Sequence, residues 1–285
     1  MKLNNSVKYC FLLGPFMLLL AFSGKWRKIQ DGKVNNDNLY VISTKYGEMT
    51  LALYDKTPIH RDNFKKLVAD STYNGTLFHR VINGFMIQGG DPNLKNAGVK
   101  DRLGLENMSY TLPAEIHSDL IHKKGALAAA RQGDQINPQK RSSGCQFYIV
   151  QGKAMDEKSL QGILERKNNI RKRALGNKYL MNPENSALKN HYVQIVQSGN
   201  QDSIKHYNQL IQSITEELYE GSKLSYTPQQ IKTYQKLGGT PMLDMDYTVF
   251  GEIIKGLDII DSIAAVKTRK GDRPIEDLQM TIKKL

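Results

Sequence analysis

The chain has little cysteine, almost no tryptophan and no surplus of acid. Its 285 residues hold two cysteines and one tryptophan. Cys10 lies inside an apolar N-terminal run; if that run is removed Cys145 stands alone, so no internal disulfide framework is expected. The six histidines show no short ligand spacing with carboxylates or with a second cysteine, so neither a metal nor another cofactor is expected. There is no G-x-S-x-G elbow of hydrolase type. Gly89-Gly90-Asp91-Pro92 lacks the helix and the Lys-Ser/Thr pair that would make it a phosphate loop.

The formal net charge is +12. Basic residues are spread along the chain, and the densest cluster, Arg166-Lys167 to Arg171-Lys172-Arg173, is short. A soluble basic protein accounts for this; a nucleic-acid binder would need a steep salt dependence that nothing else in the sequence supports. Apolar content of 40% and charged content of 24% are those of a globular protein.

Residues 1–24 read as a secretory leader: Lys2 and Lys8 precede an apolar stretch from Tyr9 to Phe22, and Ala21-Phe22-Ser23 fits a small-x-small cleavage site. The stretch is short for a membrane span, which needs about 20 residues. An uncleaved anchor is the other reading, and membrane contact is expected only through this segment. Export to a bacterial periplasm or cell envelope, or to a secretory compartment, is the expectation. Residues 25–37 are a polar linker that carries the lone Trp26.

From residue 38 the pattern turns to short strands. Leu39–Thr44 and Glu48–Leu53 alternate around Tyr46-Gly47 and predict a hairpin. Thr57-Pro58 opens a helix with Phe64, Leu67 and Val68 at helical spacing. Further strands are expected from Leu77, at Gly125–Ala130, Gln146–Val150 and Tyr247–Ile253, and at the C-terminus with Leu278, Met280 and Ile282 on one face. Residues 151–240 differ in kind: polar, with a helical stripe of Ile204, Tyr207, Leu210, Ile211, Ile214 and Leu218, and a last helix opened by Thr227-Pro228 and closed by Gly238-Gly239. They read as a mostly helical insertion between residues 38–150 and 241–285. Many short strands with few helices suggest an antiparallel barrel or sandwich.

The stretch Phe78–Asp91 is a hairpin bent at Asn83-Gly84. A two-residue loop would set Arg80 on a face with Phe78, Ile82, Phe85 and Ile87, burying a charge. A three-residue loop, Asn83-Gly84-Phe85, pairs Ile82 with Met86 and Arg80 with Gln88, and turns Val81 and Ile87 the other way. The second register is preferred.

This stretch resembles the signature of the cyclophilin-type peptidyl-prolyl cis-trans isomerases. Thr57-Pro58 with Asn63-Phe64 and Leu67, Gly125–Ala130 with Cys145–Ile149, and Leu243-Asp244 with Thr248–Glu252 resemble further blocks of that family, in its order. The resemblance implies a mainly β fold: a closed eight-stranded antiparallel barrel capped by two helices. A barrel of that size is filled by side chains, which puts the site in a groove on its outer face. It implies Arg80 as the catalytic arginine and Gln88 as its polar neighbour. Phe85, Met86, Tyr148 and Leu243 would line a proline pocket. Ala130, Arg131 and Gln146 would border the peptide groove, Tyr247 stands where many relatives have histidine, and His79 would support the arginine. The partners implied are proline-containing unfolded or folding polypeptides.

The residue types fit without the family. Rotation about X–Pro meets a barrier of about 18–20 kcal/mol because it breaks amide resonance, and no covalent bond is cleaved. A catalyst needs only to bind the twisted amide better than the planar forms. Departures carry expectations too. Met242 in place of a tryptophan predicts weak binding of a cyclic peptide inhibitor, Arg131 in place of asparagine suggests a taste for acidic or carbonyl-rich substrates, and Cys145 reads as a small buried residue. The alternative function is a proline-segment binding module or chaperone with little turnover.

Overall fold

Alternation with period two, once it starts at Leu39, continues until the sheet closes on itself. The computed structural model describes residues 29–30, 32, 34–95 and 110–285; the leader of residues 1–24, with Cys10, and Trp26 of the linker lie outside the described residues. Eight strands, β1 (Leu39–Thr44), β2 (Gly47–Leu53), β3 (Thr76–Ile82), β4 (Met86–Gly89), β5 (Ala126–Ala129), β6 (Phe147–Val150), β7 (Val249–Lys255) and β8 (Gln279–Lys284), form a closed barrel. Its order is β1-β8-β3-β4-β6-β5-β7-β2, and every pairing is antiparallel. The helices are α1 (Pro58–Ala69), α2 (Glu157–Met181), α3 (Ser186–Ser198), α4 (Gln201–Glu220), α5 (Pro228–Leu237) and α6 (Leu257–Ala264).

One set of alternate residues fills the barrel. Ile42, Met49, Leu51, Val81, Ile87, Leu127, Phe147 and Ile149 belong to one buried cluster with Phe64 and Leu67 of α1 and Ile260 and Ile263 of α6. Phe64 is its hub, with ring contacts to Tyr40, Tyr73, Phe147 and Phe250 at 5.1–5.8 Å. Cys145 is buried there, as a small residue of the core. The other set, including Ala52, Met86, Ala128, Tyr148 and Val249, forms a second buried cluster on the outside of the barrel wall, with Phe85, Leu243 and Tyr247 packed against it.

The β3–β4 hairpin takes the three-residue register: Ile82 faces Met86, Val81 faces Ile87 and Arg80 faces Gln88. Gly84 sits at φ +76, in the left-handed region glycine tolerates best. The ladder then slips, so that Phe78 pairs with Gly89 and His79 is an extra residue in β3. This bulge matters, because regular alternation would put Phe78 and Arg80 on one face. With His79 interposed, Phe78 points into the core while Arg80 points outward.

The segment between β6 and β7 holds α2–α5. Gly176 of α2 lies so close to Thr215 of α4 that an added Cβ would meet its hydroxyl at 2.9 Å, and Lys172 pairs with Glu216 across the same helices. Asn168 grips the backbone of Leu224 by two hydrogen bonds of 3.0 and 2.9 Å. The stripe expected on α4 is corrected in part. Tyr207, Thr215 and Tyr219 are its buried residues, whereas Leu210 and Leu218 are exposed. The inward ridge runs in steps of four from Tyr207, which places Leu210 and Leu218 to one side of it. Helix α5 starts with a Thr227/Gln230 capping box and ends at Gly238, φ +78.

His79 is almost fully buried, and that burial pushes its pKa from the ordinary 6.5 down to about 4. The folded state therefore keeps it neutral while the unfolded chain takes up a proton below pH 6.5. Stability is lost as pH falls from about 6.5 to about 4, and amounts to about 2 kcal/mol between pH 7 and pH 5. Urea unfolding should show this loss in the native sequence, and His79→Gln should lose about 2 kcal/mol less over the same interval.

Candidate active site

A groove of about 160 Å³ opens on the outer wall of the barrel, lined by Arg80, Phe85, Met86, Gln88, Ala130, Arg131, Tyr148, Leu243 and Tyr247. Strand β3 supplies Arg80, the hairpin loop and β4 supply Phe85, Met86 and Gln88, and β6 supplies Tyr148. Ala130 and Arg131 follow β5, and Leu243 and Tyr247 precede β7. Gln146 stands behind: its amide oxygen accepts from Gln88 at 3.2 Å and its Nε2 donates to Asp91 at 3.1 Å. His79 does not reach the groove; it is the bulge residue beneath Arg80.

Arg80 is about half exposed, and its Nε donates to Asp272 at 3.2 Å. Asp272 is fixed in turn, because its carbonyl accepts the backbone N–H of Val81 at 2.8 Å. It sits at φ +64, in a turn closed by Asp272 N–H to Arg269. One edge of the guanidinium is thus oriented, and among the described residues its Nη atoms meet no acceptor. Arg131 is the opposite case. Its Nε donates to the Asp246 carbonyl at 2.7 Å, its Nη1 pairs with Asp134 at 2.6 Å and donates to the Gln132 carbonyl at 2.9 Å, and its plane lies 4.4 Å from the Tyr247 ring centre. That guanidinium positions Tyr247 and the 246–247 backbone. Its Nε and Nη1 are engaged by protein acceptors, so the expectation that it favours acidic or carbonyl-rich substrates rests on its Nη2 alone.

Behind the pocket runs a buried polar chain. The Tyr148 hydroxyl lies 3.0 Å from His122 Nε2, and His122 Nδ1 lies 2.8 Å from Asp244 Oδ1, which also accepts the His122 backbone N–H at 2.8 Å. Asp244 Oδ2 accepts the hydroxyls of Tyr234 at 2.6 Å and Tyr226 at 2.7 Å. In the neutral imidazole, Nδ1–H donates to the carboxylate and Nε2 accepts the Tyr148 proton. Burial, then the nearby Tyr247 and Asp244, pushes the Tyr148 phenol far above its ordinary range, so it stays protonated. The Tyr148 hydroxyl is therefore engaged by His122 behind the groove. A second link joins the same rim to α2. Asp246 is paired with both Lys140 and Lys167, and Lys167 also donates to the Met242 carbonyl at 2.8 Å. Burial alone would raise the Asp246 pKa; the two lysines outweigh it and hold the carboxyl below its usual range.

All nine groove-lining residues are among the candidates read from the sequence. Asp272, His122, Tyr226 and Tyr234 are not. Asp272 and His122 lie far along the chain from what they hold, and none of the four carries a motif, so only tertiary contact reveals them.

The model of the family described as cyclophilin type peptidyl-prolyl cis-trans isomerase/CLD matches residues 39–169 and 230–284. The chain belongs to that family. Among its relatives, a Staphylococcus saprophyticus protein named "Putative peptidyl-prolyl cis-trans isomerase" is 27% identical over 85% of this chain and 89% of its own length. A Staphylococcus epidermidis protein of the same name is 28% identical over 88% of this chain and 91% of its own. A cyclophilin type peptidyl-prolyl cis-trans isomerase of Cryptosporidium parvum aligns structurally with a TM-score of 0.47 and 19% identity, covering 86% of this chain and 97% of that one. The family match makes the chain a cyclophilin-type isomerase, of a family that acts on proline-containing peptides, and nine of its candidate residues meet in the groove.

Two outcomes follow for this cyclophilin. Asp272→Asn keeps a residue that tolerates positive φ but removes the charge orienting Arg80; kcat/KM on a short X–Pro peptide should fall about five-fold with the fold intact by circular dichroism, matching about 1 kcal/mol for a half-exposed pair. The pair Tyr226→Phe/Tyr234→Phe strips Asp244 Oδ2 of both donors and should cost about 1–3 kcal/mol of stability in urea unfolding.

Proposed function

We propose that the groove lowers the X–Pro barrier by gripping the twisted amide with Arg80 while Phe85, Met86, Tyr148 and Leu243 hold the proline ring. The observation that carries this reading is the asymmetry between the two arginines. Arg131 is committed to protein acceptors, whereas Arg80 lines the groove with only its Nε engaged. As the amide twists, the proline nitrogen regains a lone pair and the carbonyl swings free. A planar guanidinium with free Nη–H groups can donate to either. The apolar floor holds the ring against rotation, so the carbonyl side turns. Gln88, tethered through Gln146 to Asp91, offers a fixed polar edge beside the arginine. No proton leaves the substrate, because no covalent bond is cleaved. Each tenfold in rate needs about 1.4 kcal/mol of preference for the twisted form.

The test is isomerisation of a short X–Pro peptide by the native protein and by Arg80→Ala. We expect acceleration that falls about 10²–10³-fold in the variant, the usual cost of removing one oriented donor. A well-folded native protein that binds the peptide without accelerating it would favour a proline-segment binding module instead.

We further propose that residues 151–240 are an insertion into a barrel built from 38–150 and 241–285, and that it helps hold client polypeptides. The family model leaves residues 170–229 unmatched, and α2 borders the rim of the groove through Lys167. Excising residues 153–239 would also remove Tyr226 and Tyr234 from Asp244, so short-peptide turnover should suffer along with folding activity; surface substitutions are the cleaner probe. Export rests on the sequence of residues 1–24. A mature chain starting near Gly24 outside the cytoplasm would support it, and a full-length cytosolic chain would contradict it.

A further inference from the structure

A second groove, of about 270 Å³, lies between α2 and the 242–246 segment. Ile163, Ile170, Leu224, Met242 and Met245 give it an apolar lining. Ile170 and Met242 are 61% and 51% exposed, an unusual degree for large apolar side chains that face each other across a cleft. Its rim is basic. Lys167 is engaged with Asp246 and Lys172 with Glu216. Arg171 lines the groove with a buried Nε that meets no acceptor among the described residues, and Arg166 lines it from an exposed position.

The two grooves share one wall. Met242 and Asp246 face the second groove, and their neighbours Leu243 and Tyr247 face the proline groove. The two grooves are therefore adjacent, and an extended peptide seated at the first can run on into the second. Ile170, Arg171 and Leu224 fall between the two stretches that the family model matches, and the other lining residues fall within them.

We infer that this groove is a subsite for the substrate itself, taking an apolar residue flanked by acid close to the proline. The inference rests on the isomerase reading of the first groove. The apolar lining accepts one side chain such as leucine, and the Arg171 and Arg166 guanidiniums supply donors that a neighbouring carboxylate would satisfy. Selection then favours clients whose prolines sit beside acidic, apolar sequence, in keeping with the net charge of +12.

The test compares an Ala-Pro core peptide with versions extended by four residues, Leu-Glu-Leu-Glu or Leu-Lys-Leu-Lys, on either side. Affinity is read by calorimetry and kcat/KM by isomerisation, for the native protein and for Arg166→Glu/Arg171→Glu. On one side the acidic extension should bind at least five-fold more tightly than the lysine extension, and the double variant should reverse that order. High salt should shrink the difference. Equal affinities on both sides, or a preference that survives in the variant, would overturn the inference. If the acidic preference appears but the core peptide is not turned over, the isomerase reading fails and the subsite stands; turnover without preference does the opposite.

Discussion

The filled interior of the barrel is the constraint from which the site follows. Eight antiparallel strands leave room only for their own side chains, so any residue that is to meet a substrate must point outward. Along a regular strand that choice is locked by the pleat, and Arg80 would share a face with Phe78. The extra residue His79 breaks the lock. It lets a phenylalanine and an arginine two positions apart serve opposite sides of one wall, and it stays neutral in doing so because the cavity it fills excludes water. The same wall then carries Gln88 and Tyr148 outward on β4 and β6 and presents them with Arg80.

Once the side chains face outward, what separates a catalytic group from a scaffold group is which donors remain uncommitted. Asp272 turns Arg80 without saturating it. His122 and Asp244 are bonded to protein at both ring nitrogens and both carboxylate oxygens, and Arg131 at its Nε and Nη1. Two carboxylates of the 241–247 segment, Asp244 and Asp246, bind the barrel to the helices between β6 and β7. One carries tyrosines from α5 and the chain before it, and the other carries a lysine from α2. Deformation of those helices would therefore reach the groove through short hydrogen bonds.

Much of this was legible in the sequence because it is local. The β3–β4 register follows from asking where Arg80 could go without being buried. The strands of the barrel follow from period-two alternation, and α1 and α5 from Thr-Pro starts. What was not legible is what depends on distant segments meeting. Asp272 belongs to a turn after α6, His122 to a loop before β5, and Tyr226 and Tyr234 to the helical segment; no spacing marks them. The α4 stripe departs from the apolar pattern because its inward ridge is built on Thr215 and Tyr219, which meet α2, and Tyr207, which meets α3, while Leu210 and Leu218 stay exposed. Arg131 shows the same limit: a sequence gives its charge but not the acceptors around its Nε and Nη1.

The central claim is that Arg80 stabilises the twisted amide more than it binds either planar form. Exchange NMR of a short X–Pro peptide reads both quantities at once, giving the affinity of each isomer and their rate of interconversion on the protein. Comparing the native chain with Arg80→Ala, the account predicts affinities within about three-fold of each other and an interconversion rate at least 100-fold slower, the loss expected for a donor used only in the transition state. Affinity falling in step with the rate, or a rate that survives the substitution, would contradict it.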